Sequence, residues 1–261
     1  MNDAGGHIRE TGRGYAEEVT DEQLPDLASY DGVLFDLDGV LTPTAEVHMH
    51  AWQAMFTDLF TAWDITPAYT ERDYFQYVDG KKRYDGVASL LRSRDVEVPW
   101  GDPSDPPSAD TVCGIGNRKN EVFSRVLREE GIAPYPGSLA LVRQLKDAGV
   151  PVAVVSSSKN AEEVLTVAGI RDLFPVVMDG AVAERDNLPS KPAPDMFAQA
   201  ARMLGVDPAT SAAVEDAHSG VQSAAAAGYG LVVGVDRGVG ADVLRASGAT
   251  VVVDDLSEFV K

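Results

Sequence analysis

Short apolar runs alternate with amphipathic or alanine-rich segments through the second half of the chain. The runs predict buried strands, and the segments between them predict helices. An earlier apolar run at residues 32–35 has the same character and predicts a further strand of the same sheet. Alternation of this kind is typical of a parallel sheet with helices on both faces. The predicted strands cover 32–35, 150–155, 175–178, 211–214, 231–235 and 250–253, and the predicted helices cover 138–148, 161–168, 194–204 and 219–227.

Residues 44–133, between the first two predicted strands, show helical periodicity and no convincing strand. Thr42 and Pro43 suit the start of the first of three predicted helices. Parallel sheets of this type bind ligands beyond the carboxyl ends of their strands. An insert that leaves from that edge is therefore expected to cover the site as a lid. Its markers are Val47, Ala51, Met55 and Leu59 on the first helix, residues 87–91 and 122–127 on the others, and a proline-rich loop at 99–107.

The pattern predicts an α/β fold, namely a doubly wound parallel sheet in a Rossmann-like core with an inserted helical cap domain. We expect the core to comprise residues 30–43 and 134–261 and the cap to comprise residues 44–133. Residues 1–29 form a predicted polar N-terminal extension.

Composition narrows the class of protein. The net charge of -19 argues against a nucleic-acid partner, because phosphate backbones demand a basic surface. No apolar run approaches the length of about 18 residues that a membrane span needs, and the N-terminus lacks the apolar centre of a signal peptide. The single cysteine, Cys113, excludes an internal disulfide and fits a reducing compartment. We therefore expect a cytoplasmic, monomeric protein with no obligate protein partner.

The first predicted strand ends in Asp36 and Asp38, two aspartates separated by one residue. Beyond a strand end the chain can turn and aim both carboxylates into one pocket. Crowding them is unfavourable unless a cation lies between them or their pKa values separate. A strand-end pair of this kind favours chemistry, although a solvated Asp-x-Asp-Gly turn is the simpler alternative.

Three more polar groups follow predicted strands or open predicted helices. Hydroxyl and amide groups at residues 156–160 could donate to an anion at a helix N-terminus, or simply cap that helix. Lys191 lies on a loop stiffened by two prolines, which suits a fixed charge, although a lone surface lysine is usually without function. Glu215 and Asp216 form a second strand-end acidic pair, and oxygen-only ligands favour magnesium, Mg2+.

These elements occur in the order Asp36-Leu37-Asp38-Gly39-Val40, Ser156, Lys191 and Glu215-Asp216. In this order, with a helical insert after the first motif, they resemble the haloacid dehalogenase-like superfamily of phosphotransferases. The resemblance covers nearly everything from Tyr30 onward. It narrows to the β-phosphoglucomutase family, which interconverts β-glucose 1-phosphate and glucose 6-phosphate through the 1,6-bisphosphate. The segments that carry the narrower match are 44–48, 80–83, 118–120, 156–160 and 190–197.

The resemblance implies a role for each strand-end residue. Asp36 would be the nucleophile that becomes an aspartyl phosphate, and Asp38 the general acid and base. Lys191 and the Ser156 hydroxyl would hold the oxygens of the transferring phosphoryl group. The implied magnesium ligands are Asp36, the backbone carbonyl of Asp38 and Asp216, and Glu215 would support the metal either directly or through one of its other ligands.

The same resemblance assigns the cap to a small sugar-phosphate substrate. His48 would link cap closure to the positioning of Asp38, although a partly buried structural histidine is the simpler alternative. Pro43, Asp79 and Ala217 depart from the family pattern, so the sugar contacts stay open, and a phosphatase of the same fold is the main alternative function. The implied substrate-binding residues are Gly80, Arg83, Lys119, Ser157, Asn160, Thr44 and Trp52.

Overall fold

Six short parallel strands form one sheet in the computed structural model, which describes residues 24–78 and 83–261. The strand order is β3-β2-β1-β4-β5-β6. All six predicted strands are confirmed within one or two residues at each end. The strands are β1 (Val33–Phe35), β2 (Val152–Val155), β3 (Val176–Met178), β4 (Ala212–Glu215), β5 (Leu231–Val235) and β6 (Val251–Val253).

Helices cover both faces of this sheet, because alternate strand residues point to opposite sides. Val33 and Phe35 pack in one apolar cluster with α5 and α6, whereas Leu34 packs in a second cluster with α8, α9 and α10. The doubly wound, Rossmann-like fold predicted from the sequence is therefore confirmed. The core helices are α5 (Pro136–Asp147), α6 (Ala161–Val167), α7 (Gly180–Arg185), α8 (Asp195–Leu204), α9 (His218–Ala226) and α10 (Ala241–Ser247).

The register of the three central strands brings their carboxyl ends to one level. Phe35 lies opposite Val154 of β2 and Val214 of β4. The residues that follow these strands consequently emerge side by side at one edge of the sheet.

Among the described residues, the insert at 44–133 contains four helices, of which the helical periodicity predicts three. They are α1 (Thr44–Ala62), α2 (Glu71–Asp73), which continues as a π-helical turn (Tyr74–Val78), α3 (Arg83–Arg92) and α4 (Val112–Glu130). Trp52, Phe56, Leu90 and Ile115 belong to an apolar cluster made entirely by this insert. The separate cluster supports the proposed cap, whose boundaries stay a prediction.

Helix α1 connects the insert to the sheet. Val47 and Ala51 belong to the main core cluster, whereas Met55 and Leu59, further along the same face, belong to the cluster of the insert. Both ends of the insert lie together, since the Tyr135 N–H donates to the Leu41 carbonyl over 2.9 Å. The insert therefore leaves and rejoins the sheet at one place.

The structure adds details that the sequence pattern did not predict. Helices α2 and α7, with three and six residues, are too short to show a clear apolar period. Helix α10, with seven residues, was not predicted either. Residues 1–23 of the predicted extension lie outside the described residues, but Leu27 is buried in the core cluster. Among the described helices, none combines the length and apolar character needed to cross a membrane.

Candidate active site

Three carboxylates converge at the carboxyl edge of the sheet. Asp36 follows β1, Glu215 ends β4, and Asp216 follows it. One oxygen from each lies within 4.8 Å of the others. Two glycines permit this crowding, because a Cβ atom at Gly39 would overlap the Asp216 carboxylate and one at Gly220 would overlap Glu215.

Lys191 balances part of this negative charge. Its Nζ donates to Asp36 Oδ1 at 2.6 Å, to Glu215 Oε1 at 2.7 Å and to the Val155 carbonyl at 2.8 Å. Burial alone would lower the pKa of Lys191, but the two carboxylates outweigh burial and raise it above its ordinary value. All three ammonium protons are used, so an incoming phosphoryl oxygen must take the place of one acceptor.

The remaining acidic charge suits a hard cation. Burial raises the pKa of Asp36 and of Asp38, and burial together with Glu215 raises the pKa of Asp216. A divalent cation would stabilise the ionised forms that burial disfavours. Asp36, Glu215 and Asp216 offer only oxygen ligands, which fits magnesium better than zinc or copper.

The carboxylate of Asp38 lies between the cap and the core. The hydroxyl of Thr44, the first residue of α1, donates to Asp38 Oδ1, and Ser156 Oγ donates to Oδ2 at 3.3 Å. Ser156 Oγ in turn accepts the Ser158 N–H at 3.1 Å. One oxygen of Asp38 is thus held by the insert and the other by the loop after β2.

The backbone after Asp38 is fixed by hydrogen bonds that three consecutive carbonyls, those of residues 39–41, accept. A cation, a hydroxyl and an amide from distant parts of the core each donate to one carbonyl. The cation is Arg237, whose guanidinium also lies 4.0 Å from the centre of the Tyr135 ring. The donors, in carbonyl order, are Arg237 Nε at 2.9 Å, Ser138 Oγ at 2.6 Å and Tyr135 N at 2.9 Å.

Sequence analysis missed Arg237 and Ser138. Arg237 follows β5 by two residues, so it emerges at the same edge as the acidic pairs. A survey of every charged side chain just beyond a strand end would have found it. Ser138 lies inside helix α5 and gives no such signal.

A basic pair, the half-buried His48 and the buried Lys119, lies in the cap. Lys119 on α4 is 3% exposed, and its Nζ lies 2.6 Å from Nδ1 of His48 on α1. The His48 ring stacks on Phe123 with centroids 4.3 Å apart. The ammonium also lies over the rings of Trp52, at 5.2 Å, and Phe123, at 4.8 Å.

Burial governs the charge of this pair. Burial and, to a smaller extent, the charge of Arg83 lower the pKa of Lys119 to about 7, whereas Asp38 opposes the shift. Burial and the Lys119 charge lower the pKa of His48 well below its ordinary value. At neutral pH His48 is consequently uncharged, and its Nδ1 accepts a hydrogen bond from the Lys119 ammonium.

Asn120 connects the cap to the core above the site. Its Oδ1 accepts Arg83 NH2 at 3.0 Å from within the cap and Asn160 Nδ2 at 2.9 Å from the core. The backbone of Asn160 is itself fixed, because its N–H donates to Ser158 Oγ at 3.1 Å. The basic side of the cap therefore lies against the loop that follows β2.

A second cap-to-core contact lies further along the same helices. Glu163 on α6 accepts Ser124 Oγ at 2.5 Å and Arg128 NH1 at 2.6 Å, both from α4. Residues 120, 124 and 128 recur at intervals of four and thus share one face of α4. This face forms a polar seam with α6.

The predicted site residues form two groups, one at the sheet edge and one in the cap. Trp52 is buried in the cap cluster beneath Lys119, and Ser157 is exposed on the loop after β2. Gly80 lies outside the described residues. Their predicted roles in binding substrate stay predictions, as do the roles of the other site residues. The sheet-edge group is Asp36, Asp38, Thr44, Ser156, Lys191, Glu215 and Asp216, and the cap group is His48, Trp52, Arg83 and Lys119, with Asn160 facing it from the core.

Comparison with known proteins agrees with this geometry. Residues 30–228 match the family model described as haloacid dehalogenase-like hydrolase. A β-phosphoglucomutase of Mycobacterium bovis is 44% identical over 236 residues, which cover 87% of this chain and 90% of the relative. The crystal structure of CbbY from Rhodobacter sphaeroides in complex with phosphate superposes with a TM-score of 0.66 at 27% identity, covering 88% of this chain and 96% of that one. A β-phosphoglucomutase structure from Clostridium difficile, with a TM-score of 0.66 at 24% identity over 88% of this chain and 92% of its own, shows the shared fold alone.

Proposed function

Since the chain belongs to the haloacid dehalogenase-like hydrolase family, we propose that it is a magnesium-dependent phosphomutase acting on β-glucose 1-phosphate. The product would be glucose 6-phosphate, formed through an aspartyl-phosphate enzyme and the 1,6-bisphosphate. One observation carries this proposal: an acidic site at the sheet edge faces two basic side chains in the cap, the buried Lys119 and the half-buried Arg83. A bisphosphate places one phosphate at each. The similarity to a named β-phosphoglucomutase supports the choice of sugar.

Asp36 begins the reaction as the nucleophile. Its carboxylate oxygen attacks phosphorus, the bond between phosphorus and the sugar oxygen breaks, and an aspartyl phosphate forms on Asp36. Lys191, 2.6 Å from Asp36, supplies a fixed positive charge beside the phosphoryl oxygens. The hydroxyl of Ser156 donates to Asp38 in this structure. When substrate is bound, the same hydroxyl would donate to a phosphoryl oxygen instead.

Asp38 moves the proton that this transfer requires. Burial raises its pKa, so Asp38 is able to hold a proton and give it to the leaving sugar oxygen. In the second half-reaction it takes the proton from the attacking hydroxyl. Thr44 fixes the carboxylate from the cap side, so a closed cap orients the acid and base.

The metal site completes the acidic edge. Asp36, Glu215, Asp216 and the backbone carbonyl of Asp38 would hold Mg2+, which when bound supplies positive charge against the phosphoryl oxygens. Lys119 and Arg83 would hold the phosphate that is not transferred. The seam between α4 and α6 would keep water from the aspartyl phosphate while a sugar monophosphate is bound beside it.

The test follows two products at once. Purified protein is incubated with β-glucose 1-phosphate, Mg2+ and a trace of the 1,6-bisphosphate, and glucose 6-phosphate and free phosphate are both measured. Glucose 6-phosphate with little phosphate supports the proposal, whereas phosphate alone would make the protein a phosphatase. Asp36→Asn should abolish both products, because its amide is a poor nucleophile, and undiminished turnover would contradict its role.

A further inference from the structure

The loop between α3 and α4 folds back on the first two turns of α4. We call residues 99–111 the buttress loop. Its ends are joined to the helix by the N–H of Val112, which donates to the Pro99 carbonyl at 2.9 Å, and by Arg118 Nε, which donates to the Pro107 carbonyl at 2.7 Å. Inside the loop, Asp105 Oδ2 accepts the Thr111 hydroxyl at 2.6 Å. These contacts give a proline-rich segment a defined shape.

Asn117 of α4 joins this loop to helix α3. Its Nδ2 donates to two carbonyls of the buttress loop, those of Pro103 at 3.0 Å and Asp105 at 2.9 Å. Its Oδ1 accepts the hydroxyl of Tyr84 at 3.0 Å. One side chain therefore fixes a loop carbonyl pair and the first turn of α3 together.

Tyr84 directly follows Arg83, and both pack against α4 at Gly116. A Cβ atom at Gly116 would lie 2.6 Å from Tyr84 Cδ1 and 3.3 Å from Arg83 Cδ. The absence of a side chain there lets the first turn of α3 approach α4 closely. Arg83 then reaches the Asn120 amide at 3.0 Å, at the level of the buried Lys119.

We propose that Tyr84 and Asn117 are positioning residues that use the buttress loop to hold Arg83 for the phosphate that is not transferred. This inference rests on the proposed function, since it assigns that phosphate to Arg83. An arginine side chain loses considerable rotamer freedom when it binds an anion. Support fixed before binding reduces that loss, so affinity for a second phosphate increases without any new contact to it.

Two variants test the contact between Tyr84 and Asn117 and the contacts between Asn117 and the buttress loop. Tyr84→Phe removes only the hydroxyl that reaches Asn117, and Asn117→Leu removes the bonds to helix and loop at similar volume. Ser104→Ala is the matched control, because among the described residues the Ser104 hydroxyl bonds only to Asp102, which also lies within the buttress loop. Thermal unfolding of each variant, and Arg83→Ala as reference, complete the set.

The test compares two phosphoryl donors: β-glucose 1,6-bisphosphate, which carries a second phosphate, and acetyl phosphate, which does not. For β-glucose 1,6-bisphosphate, Tyr84→Phe and Asn117→Leu should raise KM about three- to tenfold, the effect of one or two weakened hydrogen bonds, and leave kcat within about twofold. The rate of phosphoenzyme formation from acetyl phosphate, which has a single phosphate, should not change. Ser104→Ala should resemble the wild type with both donors.

Three results would overturn the inference. An equal loss with acetyl phosphate would mean a general structural role for Tyr84 and Asn117. A raised KM in Arg83→Ala but in neither of the two variants would reject the positioning role and leave the proposed function intact. An unchanged KM in Arg83→Ala, or no turnover of the bisphosphate by the wild type, would reject the proposed phosphate site and the inference with it.

Discussion

Lys119 is a residue whose charge changes near neutral pH. Its pKa of about 7 means that it is protonated below that pH and neutral above it, with neutral His48, Arg83 and Asp38 facing it from α1, α3 and the loop after β1. We predict that kcat/KM falls as pH rises through this range in the free enzyme. Lys119→Arg should move the falling limb to higher pH, because a guanidinium stays charged. Identical profiles for the two proteins would place that titration on another group.

Arg237 is predicted to act through the backbone rather than on substrate. Arg237→Met removes the donor to the Gly39 carbonyl and should lower kcat about ten- to a hundredfold by displacing Asp38, with KM changed less than about threefold. Steady-state kinetics provide the comparison, with Arg245→Met as control, since Arg245 is exposed and pairs only with Asp242. A large KM change with constant kcat would argue for direct substrate contact instead.

The local sequence predicts the acidic residues of the site but not the residues that hold its backbone in place. Asp36 and Asp216 directly follow strands and Glu215 ends one, so their position in the chain specifies their place at the sheet edge. The donors to the carbonyls of residues 39–41 come from helix α5 and from beyond β5. Such contacts exist only after the sheet has formed, and no spacing along the chain encodes them.

The polar seam between α4 and α6 is predicted to control closure of the cap. Glu163→Ala removes both contacts to α4, so the cap should open more readily and the aspartyl phosphate should meet water more often. The ratio of free phosphate to glucose 6-phosphate is expected to rise severalfold.

Glu162→Ala is the matched control for this change. Glu162 is the neighbouring residue of the same helix, but it pairs with Arg171, at the surface of the sheet domain and away from the cap. Its loss should leave the product ratio unaltered. If both variants changed the ratio alike, helix α6 as a whole rather than the seam would be responsible.

Element boundaries were predictable where one environment governs a whole segment. The strands are buried along almost their full length, so each appears in the sequence as a continuous apolar run. Helix α1 has one apolar stripe that serves two clusters, and the stripe does not reveal that Ala51 and Met55 lie on different sides of the division. That division depends on how the insert is oriented over the sheet.

For the whole molecule, the crowded carboxylates predict that Mg2+ stabilises the folded state. A ligand at a hundredfold excess over its Kd stabilises by about 2.7 kcal/mol, and Tm changes by about 2 to 4 °C per kcal/mol at this size. We expect Mg2+ to raise Tm by about 5 to 10 °C in a thermal melt. EDTA should reverse the increase. Asp216→Asn should reduce it, and an undiminished shift in that variant would place the ion elsewhere.

The hydrogen bond between Tyr135 and Leu41 has a consequence for how this architecture can diversify. The two connections of the insert are joined by a backbone hydrogen bond of 2.9 Å. The insert therefore separates the chain ends at the sheet by no more than a short turn would. Substitutions, and even whole replacements, in the part of the insert that packs in its own apolar cluster can therefore accumulate without disturbing strand register. Selection can thus alter that part of the insert while the acidic edge of the sheet is inherited unchanged.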